Sequence, residues 1–203
     1  MKKLIHKDDR SPWGKVEDVQ YLTPWLTQVS TASHGGYKLD RAHNAIIPEY
    51  MRKKGGWYEE DCAYSIVFSV LEHLIKQNLF DFSKTFYSKF LDERSYIESF
   101  RNWYPSEYEM YFNVTLQEGE SKIKDQNLWM ERNKDKWHVV SASSISYSNV
   151  CKISLTLNGD RWKMNTNEEK IIFMDREEYT RLQTPFGTAL SDEEVEKYAP
   201  FFE

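Results

Sequence analysis

Cysteine, proline and glycine are all scarce in this chain of 203 residues, which contains 2 Cys, 6 Pro and 8 Gly. Two cysteines, Cys62 and Cys151, are too few for a disulfide framework or for a zinc site of four cysteines. The low glycine and proline content excludes a collagen-like or low-complexity chain, and the 40% of apolar residues argues against disorder. The sequence therefore predicts a globular protein with a substantial core.

Long apolar runs are also missing, because none approaches the roughly 18 residues that a membrane-spanning helix needs. The first ten residues are basic at their start, with Lys2 and Lys3, but no apolar stretch follows. A secretory signal would have such a stretch, so we expect none. These absences lead us to expect a cytoplasmic protein that does not act on membranes.

A basic surface of the kind that binds nucleic acid is not expected, since the net charge is −5. Ten acidic and four basic residues are concentrated in residues 168–203. This acidic segment suits the basic groove of a partner protein, and a solvated acidic helix is the alternative explanation. The candidate partner-binding residues are Glu193, Glu194 and Glu196.

Aromatic residues are abundant by contrast, with 7 Trp, 13 Tyr and 11 Phe. Many lie at helical spacing between Phe86 and Phe112, and Pro105 interrupts the run, so the pattern predicts two helices with a bend. Side chains of this size at this spacing predict a buried core. A platform that stacks bases or sugars is the alternative interpretation of the same block.

The clearest helix is predicted over residues 59–77, where apolar side chains recur in steps of three and four. Glu59, Glu60 and Asp61 would then lie in its first turn, where carboxylates oppose the positive end of the helix dipole. Cys62 falls on the apolar stripe of this helix. We therefore interpret it as a packed thiol rather than a nucleophile.

Strands are predicted near both ends of the chain. An early strand covers residues 25–30, and later strands cover residues 137–142, 150–157 and 170–174. Asn158 and Gly159 predict a hairpin turn, with a return strand at residues 161–164. Capping boxes predict short helices that begin after Asp175, which pairs with Glu178, and after Ser191, which pairs with Glu194.

This order of elements predicts an α+β fold, in which an antiparallel sheet from N-terminal and C-terminal strands packs against a central group of helices. No stretch rich in Gly, Ser or Pro separates one part of the chain from another. We therefore expect a single domain over residues 1–203. If the chain divides, the expected halves are residues 1–115 and 116–203.

The first candidate site is the sequence Ser-His-Gly-Gly at residues 33–36. It predicts a turn, because two adjacent glycines permit positive φ angles. A ligand could reach His34 on such a loop and approach the backbone of Gly35 and Gly36 closely. A plain hairpin turn, in which the histidine makes a local hydrogen bond, is the alternative.

The second candidate site is Gly-Gly-Trp-Tyr-Glu-Glu-Asp-Cys at residues 55–62. Trp57 and Glu59 are candidate ligand-binding residues. Carboxylates here suit a divalent cation, with His34 as a further donor if the two segments meet. Complementation of a helix dipole explains the acids equally well. We expect no cofactor beyond this possible metal, because the chain has no phosphate-binding or zinc-protease motif.

Several short segments, in their order along the chain, resemble an uncharacterised family of small phage- and plasmid-encoded domains. The resemblance implies a phage or mobile-element origin and carries no known activity. The family's shared turn and acid-rich helix start correspond here to His34, Gly35, Gly36, Glu59, Glu60, Asp61 and Cys62. The segments that carry the resemblance are residues 11–14, 29–39, 56–62, 103–105, 108–109, 119–121, 137–142 and 173–179.

Two functions follow from these observations. The first is a phage or mobile-element accessory protein that binds a host protein stoichiometrically, for example to inhibit a CRISPR effector or a restriction enzyme. The alternative is a small hydrolase or transferase in which His34 is the acid or base, while Glu60 and Asp61 orient it or hold a metal. The alternative requires the His34 imidazole to lie near one of these carboxylates at the mouth of a pocket. A virion-associated protein, marked by a symmetric oligomer, is a third possibility.

Overall fold

The computed structural model describes residues 4–80, 93–157 and 168–198. The chain forms two compact units, Met1–Lys124 and Asp125–Glu203, so the division lies after Lys124 rather than after residue 115. Helices and antiparallel sheets are both present, which confirms the predicted α+β class. The N-terminal and C-terminal strands do not share one sheet, however, because each unit has its own four-stranded sheet.

The strands of the first unit are short and antiparallel. A small hairpin precedes the main sheet, whose strands follow one another in the order β3-β4-β5-β6. Hairpin connections of this kind need only short turns, so neighbours in the sequence are neighbours in the sheet. The strands are β1 (Arg10–Ser11), β2 (Gly14–Lys15), β3 (Asp18–Tyr21), β4 (Leu26–Ser30), β5 (Gly35–Leu39) and β6 (Trp57–Glu59).

Helices surround this sheet. The N-cap of α1 is Asp40. Pro105 separates α3 from α4, which confirms the predicted bend. Helix α2 begins at Tyr64 rather than at residue 59, because residues 57–59 pair with β5 instead. The helices are α1 (Arg41–Asn44), α2 (Tyr64–Lys76), α3 (Glu93–Trp103) and α4 (Pro105–Phe112), with 3-10 turns at Glu49–Met51 and Lys54–Gly56.

The core of the first unit combines large aromatic and aliphatic side chains. Tyr58, Tyr96 and Phe100 are almost completely buried in it. The Phe100 ring packs against Tyr108 edge-to-face, with centroids 5.5 Å apart. This packing confirms the core interpretation for the described part of the aromatic block, while Phe86 and Phe90 lie outside the described residues.

The second unit has longer strands and an aliphatic core. Its sheet has the order β10-β7-β8-β9, and Cys151 is buried in its core. The predicted hairpin turn at residues 158–159 and return strand at 161–164 lie outside the described residues. The elements are β7 (Trp137–Ser144), β8 (Val150–Leu157), β9 (Glu169–Asp175), α6 (Arg176–Leu182), β10 (Ala189–Leu190) and α7 (Asp192–Lys197), and α5 (Lys122–Arg132) spans the division between the units.

The two predicted capping boxes differ in the structure. Ser191 and Glu194 form a complete reciprocal box at the start of α7. Asp175 caps α6 through the backbone N–H of Glu177, whereas Glu178 accepts hydrogen bonds from Lys197 and Tyr198. Tertiary contacts therefore redirect Glu178 away from the local box that the sequence predicts. In the described ranges, no helix has both the length and the apolar character to cross a membrane.

Candidate functional site

The turn predicted at residues 33–36 lies slightly earlier in the chain. Residues 31–34 make it, and the Thr31 N–H donates to the His34 carbonyl at 2.7 Å. Gly35 and Gly36 are buried residues of β5, and positive φ angles occur instead at Gly55 (67°) and Gly56 (75°). The prediction that Gly35 and Gly36 form the turn is therefore wrong.

Close packing explains why glycines occupy the start of β5. A Cβ atom on Gly36 would collide with the Trp13 ring and with the Tyr58 carbonyl oxygen. One on Gly35 would collide with the Glu60 carboxylate and would lie 2.8 Å from the Val29 carbonyl oxygen. A ligand that approached these two glycines would therefore meet the Trp13 ring and the Glu60 carboxylate before reaching the backbone.

The three acids at residues 59–61 do not begin a helix. Glu59 ends β6, and the first turn of α2 contains no acidic residue. The Glu59 carboxylate instead accepts hydrogen bonds from the backbone N–H groups of Asp61 and Cys62, the latter at 3.0 Å. The explanation by a helix dipole is therefore wrong for these acids, because Glu59 organises a tight turn between β6 and α2.

His34 and Glu60 lie at the same end of strands β5 and β6. The Glu60 N–H donates to the Gly35 carbonyl at 3.1 Å, which brings Glu60 beside the residue that follows His34. The His34 imidazole makes no hydrogen bond or ion pair with any residue that the structure describes. Among those residues no group of three His, Cys, Asp or Glu side chains is placed to hold a metal. The metal site predicted from His34, Glu60 and Asp61 is thus not assembled there.

A pocket of about 580 Å³ lies on another part of the first unit. We call it the aromatic pocket, because Trp13, Trp57 and Tyr104 form its walls. Trp57 and Glu59 are predicted site residues that line it, whereas His34, Glu60 and Asp61 do not. The remaining lining residues are Pro12, Lys53, Lys54, Gly55 and Ala63.

Three separate elements supply the walls of the aromatic pocket. Trp13 lies in the turn between β1 and β2, where its N–H donates to the Ser11 hydroxyl at 3.2 Å. Trp57 begins β6, and Tyr104 links α3 to α4 just before Pro105. The Trp13 and Trp57 rings meet edge-to-face, with centroids 5.7 Å apart. This geometry is favourable for aromatic pairs and holds both rings in place.

Two lysine ammonium groups lie close to the aromatic rings of Trp57 and Tyr104. The Lys38 ammonium lies 5.4 Å from the Trp57 ring centroid and donates to the Leu39 carbonyl at 2.9 Å and to the Gly55 carbonyl. The Lys53 ammonium lies 4.6 Å from the Tyr104 ring centroid. Such cation–π contacts stabilise both partners and place positive charge beside the pocket.

Cys62 lies behind one wall, in contact with Glu59 and Tyr104. Its thiol donates to Glu59 Oε2 at 3.3 Å and lies 3.4 Å from the Tyr104 hydroxyl oxygen. Burial raises the pKa of the Glu59 carboxyl. Hydrogen bonds from the N–H groups of Asp61 and Cys62 stabilise its ionised form by more, so the pKa is lowered overall. Burial raises the pKa of Cys62, as does the neighbouring carboxylate. A protonated thiol is a poor nucleophile, and Cys62 is half-buried rather than part of the core.

Tyr104 is held in its neutral form. Burial raises the pKa of its hydroxyl, and the hydrogen bond with Cys62 adds to this effect. The wall residue therefore presents an aromatic ring and a neutral hydroxyl, not a phenolate. The walls offer apolar contact together with a few polar groups, which is typical of ligand-binding sites.

The acidic residues predicted to bind a partner lie on α7 of the second unit. Glu194 is engaged in the capping box, where its carboxylate accepts from the Ser191 N–H at 2.8 Å. Glu193 and Glu196 are exposed. A partner would therefore meet Glu193 and Glu196 directly, whereas Glu194 has a structural role.

Sequence reasoning did not identify Trp13, Lys53, Lys54 or Tyr104 as site residues. Trp13 and Tyr104 belong to segments that carry the family resemblance. Their presence in those segments is the sequence signal that could have marked them as site residues. No local pattern indicates that a hairpin tip, a strand and a bend between helices come together. Their meeting depends on tertiary packing.

Comparison with protein families matches residues 6–134 to a domain of unknown function, DUF7007. The matched span includes every residue that lines the aromatic pocket. No curated protein and no solved structure shows a significant match. The chain belongs to the DUF7007 family, which agrees with the expectation of an uncharacterised family.

Proposed function

We propose that this protein acts by binding a host protein, and that the aromatic pocket receives an apolar side chain of that partner. The observation that carries the proposal is the grouping of Trp13, Trp57 and Tyr104 around a cavity of about 580 Å³. Cavities of roughly 300–1,000 Å³ accommodate small molecules or anchoring side chains. Aromatic residues in such positions commonly supply much of the binding energy of an interface.

The rigidity of the walls supports this role. Trp57 belongs to a paired strand, and Trp13 packs edge-to-face against it while covering Gly36. Walls that are ordered before binding lose little conformational entropy when a partner arrives. The half-buried Lys53 and the exposed Lys54 add positive charge at the pocket, which favours acidic groups beside the anchoring side chain.

The catalytic alternative has weaker support. It requires the His34 imidazole to act with a carboxylate at the mouth of a pocket. His34 is exposed in a turn, and neither it nor Glu60 nor Asp61 lines the aromatic pocket. Burial and the neighbouring Glu59 carboxylate raise the pKa of the Cys62 thiol, which makes it a poor nucleophile next to the pocket.

The class of partner forms part of the same proposal. The resemblance to phage and plasmid proteins favours a host target in the cytoplasm, such as a CRISPR effector or a restriction enzyme. Glu193 and Glu196 form a second, acidic contact surface that suits a basic groove on a nucleic-acid enzyme. The partner is a protein, and we expect no direct contact with nucleic acid or membrane.

Quantitative capture from host lysate tests the proposal. The tagged protein is compared with Trp57→Ala, with His34→Ala/Glu60→Ala, and with Trp103→Ala as a matched control, since Trp103 is exposed and outside the pocket. We expect one host protein to be captured at a one-to-one ratio by the wild type, by the double variant and by the control. Trp57→Ala should reduce capture at least tenfold, in line with the loss of an aromatic anchor.

Circular dichroism and thermal unfolding must show that Trp57→Ala is folded, and Lys54→Glu at the exposed rim provides a second variant that does not disturb packing. Equal capture by Trp57→Ala, Lys54→Glu and the wild type would rule out the pocket as the contact. No partner with the wild type, or capture seen only with His34→Ala/Glu60→Ala, would instead favour the enzyme, because an active enzyme holds its substrate only transiently. The acidic surface is tested by Glu193→Lys/Glu196→Lys, which leaves the capping box intact.

A further inference from the structure

Strand β7 is paired along only part of one side. Its inner side pairs with β8 from Trp137 to Ser144. On its other side it pairs with β10 at Trp137 and His138, and the Val139 N–H donates to the Thr188 carbonyl at 3.0 Å. Residues 140–144 have no hydrogen-bonding partner on that side among the residues that the structure describes. We call residues 141–144 the open edge.

A turn in the chain causes this opening. Thr184 and Gly187 exchange two backbone hydrogen bonds, at 3.0 and 3.2 Å. This turn requires a φ of 135° at Gly187 and limits β10 to two residues. Unpaired N–H and C=O groups on a strand edge form a template for another strand.

The usual protection against such pairing is missing. Natural edges carry charged side chains or proline that prevent association with another strand. The open edge has the sequence Ser-Ala-Ser-Ser, and all four residues are exposed. A bulge at Val140 precedes it and does not interrupt it.

A large exposed side chain lies at one end of the open edge. Tyr147, at the tip of the turn between β7 and β8, has a relative exposure of 109% and a φ of 60°. Ile145 in the same turn is also exposed. A protruding tyrosine with an apolar ring and a polar hydroxyl is well suited to a contact with another molecule.

A recess lies at the opposite end of the same edge. Its volume is about 530 Å³, and its lining includes Val139, Val140, Gln183, Thr184 and Thr188. This mixture of apolar walls with hydroxyl and amide groups matches the chemistry of a tyrosine side chain. The open edge therefore has a projecting side chain at one end and a matching recess at the other.

We propose that the open edge binds a second copy of this chain, with the two edges antiparallel about a two-fold axis at Ser143. The Ile145 N–H donates to the Val150 carbonyl, so alternation along β7 points the backbone N–H and C=O groups of Ala142 and Ser144 away from β8. In that register Ala142 of each copy faces Ser144 of the other. Ile145 then faces Ser141, and Tyr147 of each copy lies beside the recess of the other. A two-fold arrangement uses the same surface twice, so the projecting side chain and the recess on one copy satisfy both partners.

Side-chain properties support a second copy as the occupant. The facing residues are small and uncharged, so neither bulk nor like charges oppose the approach of the two strands. The ladder is only four residues long in each copy. We therefore expect a concentration-dependent dimer rather than a permanent one. This inference does not depend on the aromatic pocket, which belongs to the first unit.

A charge-exchange experiment on the full chain tests the proposal. Ala142→Lys/Ser144→Lys places lysines directly opposite each other on one face of the paired strands, and Ala142→Glu/Ser144→Glu does the same with glutamates. Molar mass is measured by light scattering and sedimentation from about 1 µM to about 500 µM. Val114→Lys/Thr115→Lys, at exposed positions of the first unit, is the matched control.

We expect the wild type and the control to dimerise, each charged variant to be monomeric, and an equimolar mixture of the two charged variants to form a heterodimer. Tyr147→Ala should weaken the dimer about tenfold. A wild type that is monomeric over the whole range, or dimers that persist equally in both charged variants, would overturn the proposal. A monomeric wild type that binds an added extended peptide would assign the edge to a different protein instead.

Discussion

The two units of this protein bury their sheets in different ways. In the first, strands of two to five residues are covered by aromatic side chains from helices, and the largest fully buried residues include Tyr58, Tyr96 and Phe100. In the second, strands of seven and eight residues carry an aliphatic core that includes Ile153 and Leu155. The first unit has a pocket where aromatic rings leave space, whereas the second has an edge where pairing stops.

This contrast shows how different surfaces arise from the packing of each core. Large rings cannot fill every gap around short strands, so a cavity with aromatic walls is left open to ligands. Long regular strands leave backbone groups exposed wherever a neighbouring strand is shorter. The proposed partner contact and the proposed self-contact thus come from two different features of the fold.

The largest expected effect comes from removing a core ring. Phe100→Ala should lower the free energy of unfolding by about 3–5 kcal/mol, because it leaves a cavity in the aromatic core. Leu155→Ala, the matched change in the second unit, should cost about 2–5 kcal/mol. Hydrogen exchange resolved by peptide should show each loss mainly within its own unit. Equal loss of protection in both units for either variant would show that the two cores unfold as one.

A smaller effect is expected from adding a methyl group to the crowded sheet of the first unit. Gly36→Ala should cost about 1–3 kcal/mol, because the new Cβ would meet the Trp13 ring and the Tyr58 carbonyl. Ala142→Val on the open edge adds more volume but should change stability by less than about 0.5 kcal/mol. Urea denaturation at low protein concentration measures both. Equal changes in the free energy of unfolding for Gly36→Ala and Ala142→Val would contradict the proposed difference in packing between the two sheets.

Helix caps should contribute similar amounts in both units. Ser191→Ala removes the side chain that accepts from the Glu194 N–H, and Asp40→Ala removes the acceptor for the His43 N–H at 2.9 Å. Each change should cost about 1 kcal/mol in chemical denaturation. Ser191→Thr keeps a capping hydroxyl and should restore most of the stability. A loss in Ser191→Thr that equals the loss in Ser191→Ala would rule out capping as the cause.

The smallest effect should appear as a pH dependence at the aromatic pocket. The pKa of Glu59 is lowered in the folded protein from its ordinary value of 4.5. The ionised carboxylate therefore stabilises the folded state at pH values above 4.5. This stability is lost as the pH falls through the lowered pKa. Glu59→Gln should therefore be less stable than the wild type by at most about 1 kcal/mol at pH 7, and the difference should shrink below pH 4.5.

Denaturation curves collected between neutral and acidic pH measure this difference. Glu196→Gln on α7, where the carboxylate is exposed, is the control in the second unit. A gap between wild type and Glu59→Gln that stays constant from neutral to strongly acidic pH would show that the charge of Glu59 is not responsible.

Local patterns predicted several elements correctly. Strand β8 has the predicted bounds of residues 150–157, and its side chains alternate between apolar and polar from Cys151 to Leu157. Pro105 breaks the helical run, and Ser191 with Glu194 starts α7, since proline geometry and capping depend on neighbours within one turn. Where the physical cause lies within a few residues, the sequence is a sufficient guide.

Residues 57–61 show why the rest was not predicted. Their apolar and acidic pattern suits a helix start, but pairing with β5 draws residues 57–59 into the sheet. The conformational freedom of Gly35 and Gly36 suits a turn. These glycines instead lie in a strand, where a Cβ atom would collide with Glu60 or Trp13. In both cases a contact between distant segments outweighs a weak local preference.

The sequence by itself determined the α+β class, the regular strands of the second unit, the caps and the break at Pro105, because each depends on local periodicity or backbone chemistry. Only the tertiary structure decided that Trp13, Trp57 and Tyr104 surround one pocket, and that the turn at Thr184 leaves part of β7 without a strand neighbour among the described residues. These features depend on where the chain returns in space. Burial and hydrogen bonding between segments far apart in the sequence determine where the chain returns. A short window of sequence includes only one of the two segments in each contact.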